Sequence, residues 1–423
     1  MNSFNRRKLL QLLGGASLFS TLPGFVRAAS AATPANIVII GAGFGGATAA
    51  RYLRLWGGDK VNVTLVDANP AHISCILSNL VVTGAMTMDQ ITLGLGVLRD
   101  QYGVNLLQGT ATSVNTEAKL VGITTTDGLV ELSYDKLILA PGIDLIPPPG
   151  AYDPSLTPHA WVAGPQTQLL RAQIAKLAKG QVFVMNVPKA PYRCPPGPYE
   201  RACVIADIIL RRKLKGKVIV LDANPGITAE PVNFGNAFSK TFKGIVDYRP
   251  NTVITSVDSV KKTITTTKGV VRGNVVNYLP DMKAGKIVDL AGLLDPGARW
   301  AQVNPLTYAS LKAPDVHVIG DSQATAQPKS GTMANSQAKV CADAILRELG
   351  GNSPDPQPMT SSACYSPITN KTASWLTACY QYDATSGQMK RVEESFGEAN
   401  KPDAENYIDM FRWANSLFAD TFG

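Results

Sequence analysis

Histidine is scarce, with three in 423 residues, so no histidine-rich metal centre is expected, and the six cysteines show no spacing suited to a zinc site. CxxCH is absent, which excludes c-type haem attachment to this chain. Nor does any apolar run approach the roughly 20 residues that span a bilayer, so stable transmembrane insertion is not expected. Charged residues make up only 17% against 45% hydrophobic ones, a balance that excludes intrinsic disorder. Six cysteines are too few to staple a chain this long, but they suffice for one redox pair and one attachment site. The length fits two or three domains, each able to bury its own core.

Acidic residues are missing before Asp59, while Arg6, Arg7, Lys8 and Arg27 all fall there. The segment NRRKLLQLLGGASLFSTLPGFVRAASAA has a basic start, an apolar stretch and a small-residue end. It reads as a removable signal over residues 1–32, and the paired arginines resemble the twin-arginine type, which exports proteins already folded around a cofactor. The expected location is the periplasm, where disulfides persist. Without that segment the formal charge of +8 falls to about +4, which calls for no nucleic-acid partner.

NIVII from Asn36 is a branched run suited to a buried strand, and GAGFGG follows it. Gly41, Gly43 and Gly46 fit GxGxxG, in which the first glycine makes the turn, the second admits phosphate and the third lets helix pack on strand. ATAARYLRLW continues as a helix whose N-terminus can hold a pyrophosphate. VNVTLVD then ends in Asp67, a carboxylate placed to accept hydrogen bonds from an adenosine ribose. The combination, rather than the glycines alone, points to dinucleotide binding.

Two later pieces, YDKLILAPG and VHVIGD, complete the same unit, and Asp321 at the end of the second belongs near a flavin ribityl or phosphate. The alternative for Asp321 is an ordinary turn residue closing a strand. The long return implies an insertion, itself a doubly wound half built from GQVFVMNVP, RACVIADIILRRKL and GKVIVLDANPG. Its first loop, KAPYRCPPGPYE, has no glycine cradle and several prolines that lack N–H donors, so NAD(P)H is not expected there. The fold class is α/β: two Rossmann-like halves of the FAD-dependent disulfide reductase type and a C-terminal α+β cap. The domains are expected at 33–150 with 290–355, at 151–289, and at 356–423.

RRKLL, GAGFGGATAARYL, CILSN, YRCPPGPYERA, VIGD, PKSGTMANSQ and the terminal DTFG together resemble the flavoprotein subunit of flavocytochrome c sulfide dehydrogenases, within the sulfide:quinone oxidoreductase and disulfide reductase superfamily. The resemblance covers essentially the whole chain. It implies that Cys75 carries FAD through a thioether, although its apolar setting alone would suit a core cysteine. It implies a redox-active disulfide between Cys194 and Cys364 over the flavin, opened by sulfide; a purely structural bridge or unpaired thiols are the alternatives. Glu200 matches an acid beside that disulfide and would handle protons, though a glutamate in a first helical turn also serves the helix dipole. Lys329, before a helix that approaches the flavin, would add positive charge or simply be solvated. No role is expected for Cys203, Cys341 or Cys379.

The resemblance thus implies a periplasmic FAD enzyme that oxidises sulfide and hands electrons to a separate c-type cytochrome. The other readings are a sulfide:quinone oxidoreductase and a flavin electron-transfer component that does not oxidise sulfide. Metal binding is not expected.

Overall fold

The computed structural model describes residues 33–423, so the signal-like segment 1–32 lies outside the described residues. Parallel strands need apolar side chains on both faces, and NIVII and KLIL supply them. Strand Ala35–Ile40 pairs in parallel with Val61–Asp67 on one side and Lys136–Leu139 on the other, and its last four residues are buried. Asn105–Gln108 extends the sheet beyond the former, and Val316–Val318 adds to the latter. The late VHV segment therefore does return to the first sheet.

The glycine loop joins this sheet to the helix Phe44–Gly57. A Cβ on Gly46 would lie 1.8 Å from the carbonyl oxygen of Gly41, and one on Gly41, with φ +100°, would lie 2.4 Å from that of Ala140. Neither position admits a side chain, and this closeness seats the helix N-terminus over the strand ends. The same helix packs along Gly331–Leu349.

The inserted half has its own parallel sheet, ordered Val246–Arg249, Lys217–Asp222, Val182–Val187 and Val275–Asn277. The helix that follows Val182–Val187, Gly197–Arg211, is buried along nearly its whole length. C-terminal residues form an antiparallel sheet from Met359–Pro367, Ala373–Asp383 and Gln388–Arg391, followed by the helix Ala404–Phe422. That helix ends inside the protein. Asp420 accepts hydrogen bonds from Tyr52 at 2.5 Å and from Asn335 at 2.8 Å, and Phe422 stacks on His72 with centroids 5.2 Å apart. The DTFG ending is thereby a wall of the first half.

Candidate active site

Two adjoining hollows hold most of the predicted residues. The first is a cleft at the C-terminal ends of the first sheet, lined by Gly41, Gly43, Asp67, His72, Cys75, Asp321 and the start of helix Gly331–Leu349. The second is lined by Cys75, Cys194, Cys364, Glu200, Trp161 and Asn79. Cys75, Arg193, Ser330 and Gly331 line both, so the two hollows meet at these residues.

The cleft fits a flavin dinucleotide. At Gly43 an added Cβ would meet only His72 at 3.6 Å, and the space in front of the loop is left to a ligand. Asp321 is 9% exposed and its Oδ1 has no partner, the condition of an acid that awaits a hydroxyl donor. Burial raises its pKa, partly offset by Arg193 and Lys329. Asp67 stands at the expected place, and its carboxylate accepts from the N–H of Ala42 at 2.7 Å and of Asn69 at 2.8 Å, fixing the glycine loop. Gly41 lines the cleft and Gly46 serves the packing beneath it.

Lys329 is not solvated: it is buried behind the cleft lining, where its charge still lowers the pKa of the cleft acid Asp321. It is 4% exposed, and its ammonium donates to the carbonyls of Asp321 at 2.8 Å and Gln323 at 2.6 Å while sitting 3.9 Å above the Trp300 ring. Burial lowers its pKa to about 8. The cation that does line the cleft is Arg193, whose guanidinium donates to the Trp161 carbonyl.

Cys194 sits in a strained turn with φ +60°. Its N–H donates to the carbonyl of Lys329 at 2.7 Å and its carbonyl accepts from Gly197 at 3.0 Å. A Cβ on Gly197 would come within 2.8 Å of the Cys194 sulfur and 2.9 Å of the Trp161 ring, which explains the glycine of CPPG. Cys364 projects from strand Met359–Pro367 into the same hollow. All six cysteines are free thiols here. Burial pushes the Cys364 thiol up to about 12 and raises Cys194 well above the ordinary thiol range, each further raised by the other acids and thiols around it.

Glu200, in the first turn of helix Gly197–Arg211, is 8% exposed, and its Oε1 accepts from Asn79 Nδ2 at 2.8 Å. Asn79 also accepts from Arg201 Nε at 2.8 Å, so the last residue of CILSN ties the Cys75 segment to the Cys194 helix. Arg201 is 1% exposed, fully engaged with carbonyls and Asn277, and stacked 4.9 Å from Trp161. Burial drives Glu200 up to about 8, against the lowering pull of Asn79 and Arg201. A folded-state pKa above the unfolded value means that the native state holds the proton more tightly. Its contribution is therefore present below about pH 4.5 and lost as pH rises to about 8, by at most about 1.4 kcal/mol per pH unit. Thermal midpoints measured from about pH 5 to pH 8 are expected to fall more steeply in the native protein than in Glu200→Gln. Parallel slopes would show that Glu200 is ionised throughout.

Sequence reasoning passed over Asn79, Arg193 and Trp161. Arg193 had a signal in its place next to Cys194, but the flanking prolines give no period from which its direction can be read. In the inserted half, Asp222 ends its strand where a nucleotide acid would stand. Its carboxylate already accepts from Tyr199 at 2.8 Å, Tyr248 at 2.7 Å and the Asn224 N–H at 2.8 Å. No acceptor is left for a ribose, in keeping with the missing glycine loop.

Two Rossmann-type sheets, a glycine-cradled cleft and thiols at its inner end define a flavin-dependent oxidoreductase of the disulfide reductase type. Residues 35–164 match the pyridine nucleotide-disulphide oxidoreductase family. Residues 167–280 match the central region of the sulfide dehydrogenase [flavocytochrome c] flavoprotein chain, and residues 356–422 the flavocytochrome c sulphide dehydrogenase flavin-binding region. The chain belongs to the family of flavocytochrome c sulfide dehydrogenase flavoprotein chains. It is 44% identical over 46 residues to the flavoprotein chain of that name from Chlorobaculum thiosulfatiphilum, covering 11% of this chain and 94% of that sequence. A mitochondrial sulfide:quinone oxidoreductase from Dictyostelium discoideum is 21% identical over 396 residues, 89% of this chain and 82% of that protein. In fold the present chain is similar to the sulfide:quinone oxidoreductase of Aquifex aeolicus, with a TM-score of 0.76, 17% identity and 92% of each chain covered.

Proposed function

We propose that this chain oxidises sulfide through a bridge between Cys194 and Cys364, holds FAD covalently through Cys75, and works in the periplasm with a separate c-type cytochrome. The observation that carries this reading is the meeting of the two hollows. Cys194, Cys364 and Glu200 share one, and Cys75 and Arg193 join it to the cleft that fits the flavin.

In the oxidised pair, hydrosulfide attacks one bridging sulfur. The S–S bond breaks, its electron pair leaves with the other cysteine as a thiolate, and a persulfide remains on the attacked one. Glu200 as carboxylate takes the proton carried in by sulfide, and its raised pKa places that exchange close to neutral pH. Arg193, the cation common to both hollows, lowers the pKa of Cys75 and Cys194 and so favours their thiolates. Bound in the cleft, FAD would supply uptake of an electron pair and its release one electron at a time. Helix Gly331–Leu349, capped by Ser330 with its N-terminus in the cleft wall, presents its positive end there.

The acceptor separates this reading from the quinone one that the Dictyostelium and Aquifex relatives suggest. No helix among the described residues is long and apolar enough to cross a membrane. After anaerobic reduction with sulfide, cytochrome c is expected to reoxidise the protein faster than a soluble quinone or NAD at equal concentration. Preferential quinone reduction together with membrane association would favour the quinone reading. Flavin that sulfide fails to bleach would mark an electron-transfer component instead.

A further inference from the structure

Glu230 takes no part in the steps above, yet it is 2% exposed and stands among the reacting groups. It precedes the short helix Pro231–Asn236 with φ +51°, a left-handed conformation that suits glycine or asparagine better than a glutamate. Its Oε1 accepts a hydrogen bond from Ser366 Oγ at 2.7 Å. Its Oε2 makes no well-formed hydrogen bond, but the neighbouring Ser374 hydroxyl lies close enough to lower the acid's pKa together with Ser366. A buried acid held in a strained backbone, with serine hydroxyls rather than a cation beside it, asks for a role other than packing.

Ser366 lies two residues after Cys364 on strand Met359–Pro367, so both side chains leave the same face, about 7 Å apart along the strand. The titratable groups around Glu230 are Glu200 and Cys203 on helix Gly197–Arg211, Cys364 on its strand, and Glu398 on Gly397–Glu398. None of them is a cation. Burial pushes Glu230 up to about 7, with Glu398 adding to the rise. Without a nearby acceptor the Cys364 thiol would hold its proton at any physiological pH.

We infer that Glu230, acting through Ser366, takes the proton of the Cys364 thiol when that sulfur turns nucleophilic and returns it when the sulfur leaves a disulfide. In the forward direction the S–H bond breaks and the sulfur keeps the pair. The proton reaches the carboxylate by way of the Ser366 hydroxyl and one bridging water, and Glu230 becomes the neutral acid. No oxidant is needed and the charge of the buried cluster does not change: the negative charge passes from the carboxylate to the sulfur, and no second buried charge is added. Because it touches Ser366 and not the sulfur, Glu230 is a positioning residue. The inference rests on Cys364 being a reacting sulfur.

The test uses the dithiol form of the full flavoprotein and iodoacetamide, which does not itself titrate, with alkylation of the Cys364 and Cys194 peptides followed by mass spectrometry. In the native protein, Cys364 alkylation should rise through about pH 7 as Glu230 ionises. Glu230→Gln should lose that rise and react roughly 10²-fold more slowly at pH 8. Ser366→Ala, which keeps the acid but cuts the link, should behave alike and decides the matter alone if Glu230→Gln does not fold. Cys194 alkylation in the same digests should keep its rate. A structural or purely electrostatic role predicts the opposite sign, because removing a negative charge lowers the thiol pKa and speeds alkylation. An unchanged or faster rate in either folded variant overturns the inference. Since the assay contains no sulfide, its failure leaves the sulfide reading standing, and loss of sulfide turnover leaves the alkylation result standing.

Discussion

A Cys75→Ala protein is expected to release all of its flavin on denaturation, whereas the native protein keeps the flavin on the polypeptide. The change is from complete retention to none, because a thioether survives unfolding and a cradle of hydrogen bonds does not. Cys75 lies where the flavin cleft meets the thiol hollow. Arg193 lowers its pKa against the rise that burial imposes, so the nucleophilic thiolate is aided at the one cysteine in contact with both hollows. Folding should survive the change, since Cys75 is only partly buried and the fold-bearing contacts of its segment run through Asn79. Flavin absorbance is read on the denatured, desalted polypeptide together with its mass. Complete release from the unmodified protein removes the covalent attachment from the account.

Replacing either Cys194 or Cys364 by serine is expected to slow flavin reduction by sulfide by ~10³-fold or more, the scale seen when a covalent nucleophile is removed. The two variants should be equally impaired, since one bridge needs both sulfurs, and the double variant should be no worse. Serine at 194 keeps the strained turn, because its N–H still meets the Lys329 carbonyl, so flavin content should not fall with activity. Stopped-flow bleaching of the flavin under anaerobic sulfide reads the effect. Ordinary rates in either purified variant would reject thiol exchange as the route.

Local pattern carried the first half of the fold into view. NIVII, the three glycines and VNVTLVD became strand, loop, helix and strand, with Asp67 at the edge of the cleft. The return of VHV to the first sheet was equally legible, since a strand ending in an acid after a long insertion has few places to pair. The cysteines were found through motifs, and the structure brings Cys75, Cys194 and Cys364 to one hollow. The burial of Lys329 was not legible, because its cage is assembled from Trp300 and the carbonyls of Asp321 and Gln323, partners that no spacing around residue 329 reveals. Glu230 was hidden for the same reason. Its partner Ser366 is 136 positions away, on a strand of the C-terminal sheet. Asn79 and Arg201 are of this kind too: a buried guanidinium needs acceptors from several segments at once, and only the folded chain shows which ones.

The central claim is that sulfide enters through a bridge between Cys194 and Cys364. Peptide mass mapping under nonreducing conditions, before and after one equivalent of sulfide without oxygen, tests it most directly. The account predicts a cross-link between PYRCPPG and SACYS in the oxidised protein, replaced after sulfide by two separate peptides, one of them heavier by a single sulfur atom. Unlinked and unchanged peptides at both stages, with the flavin nevertheless bleached, would contradict it.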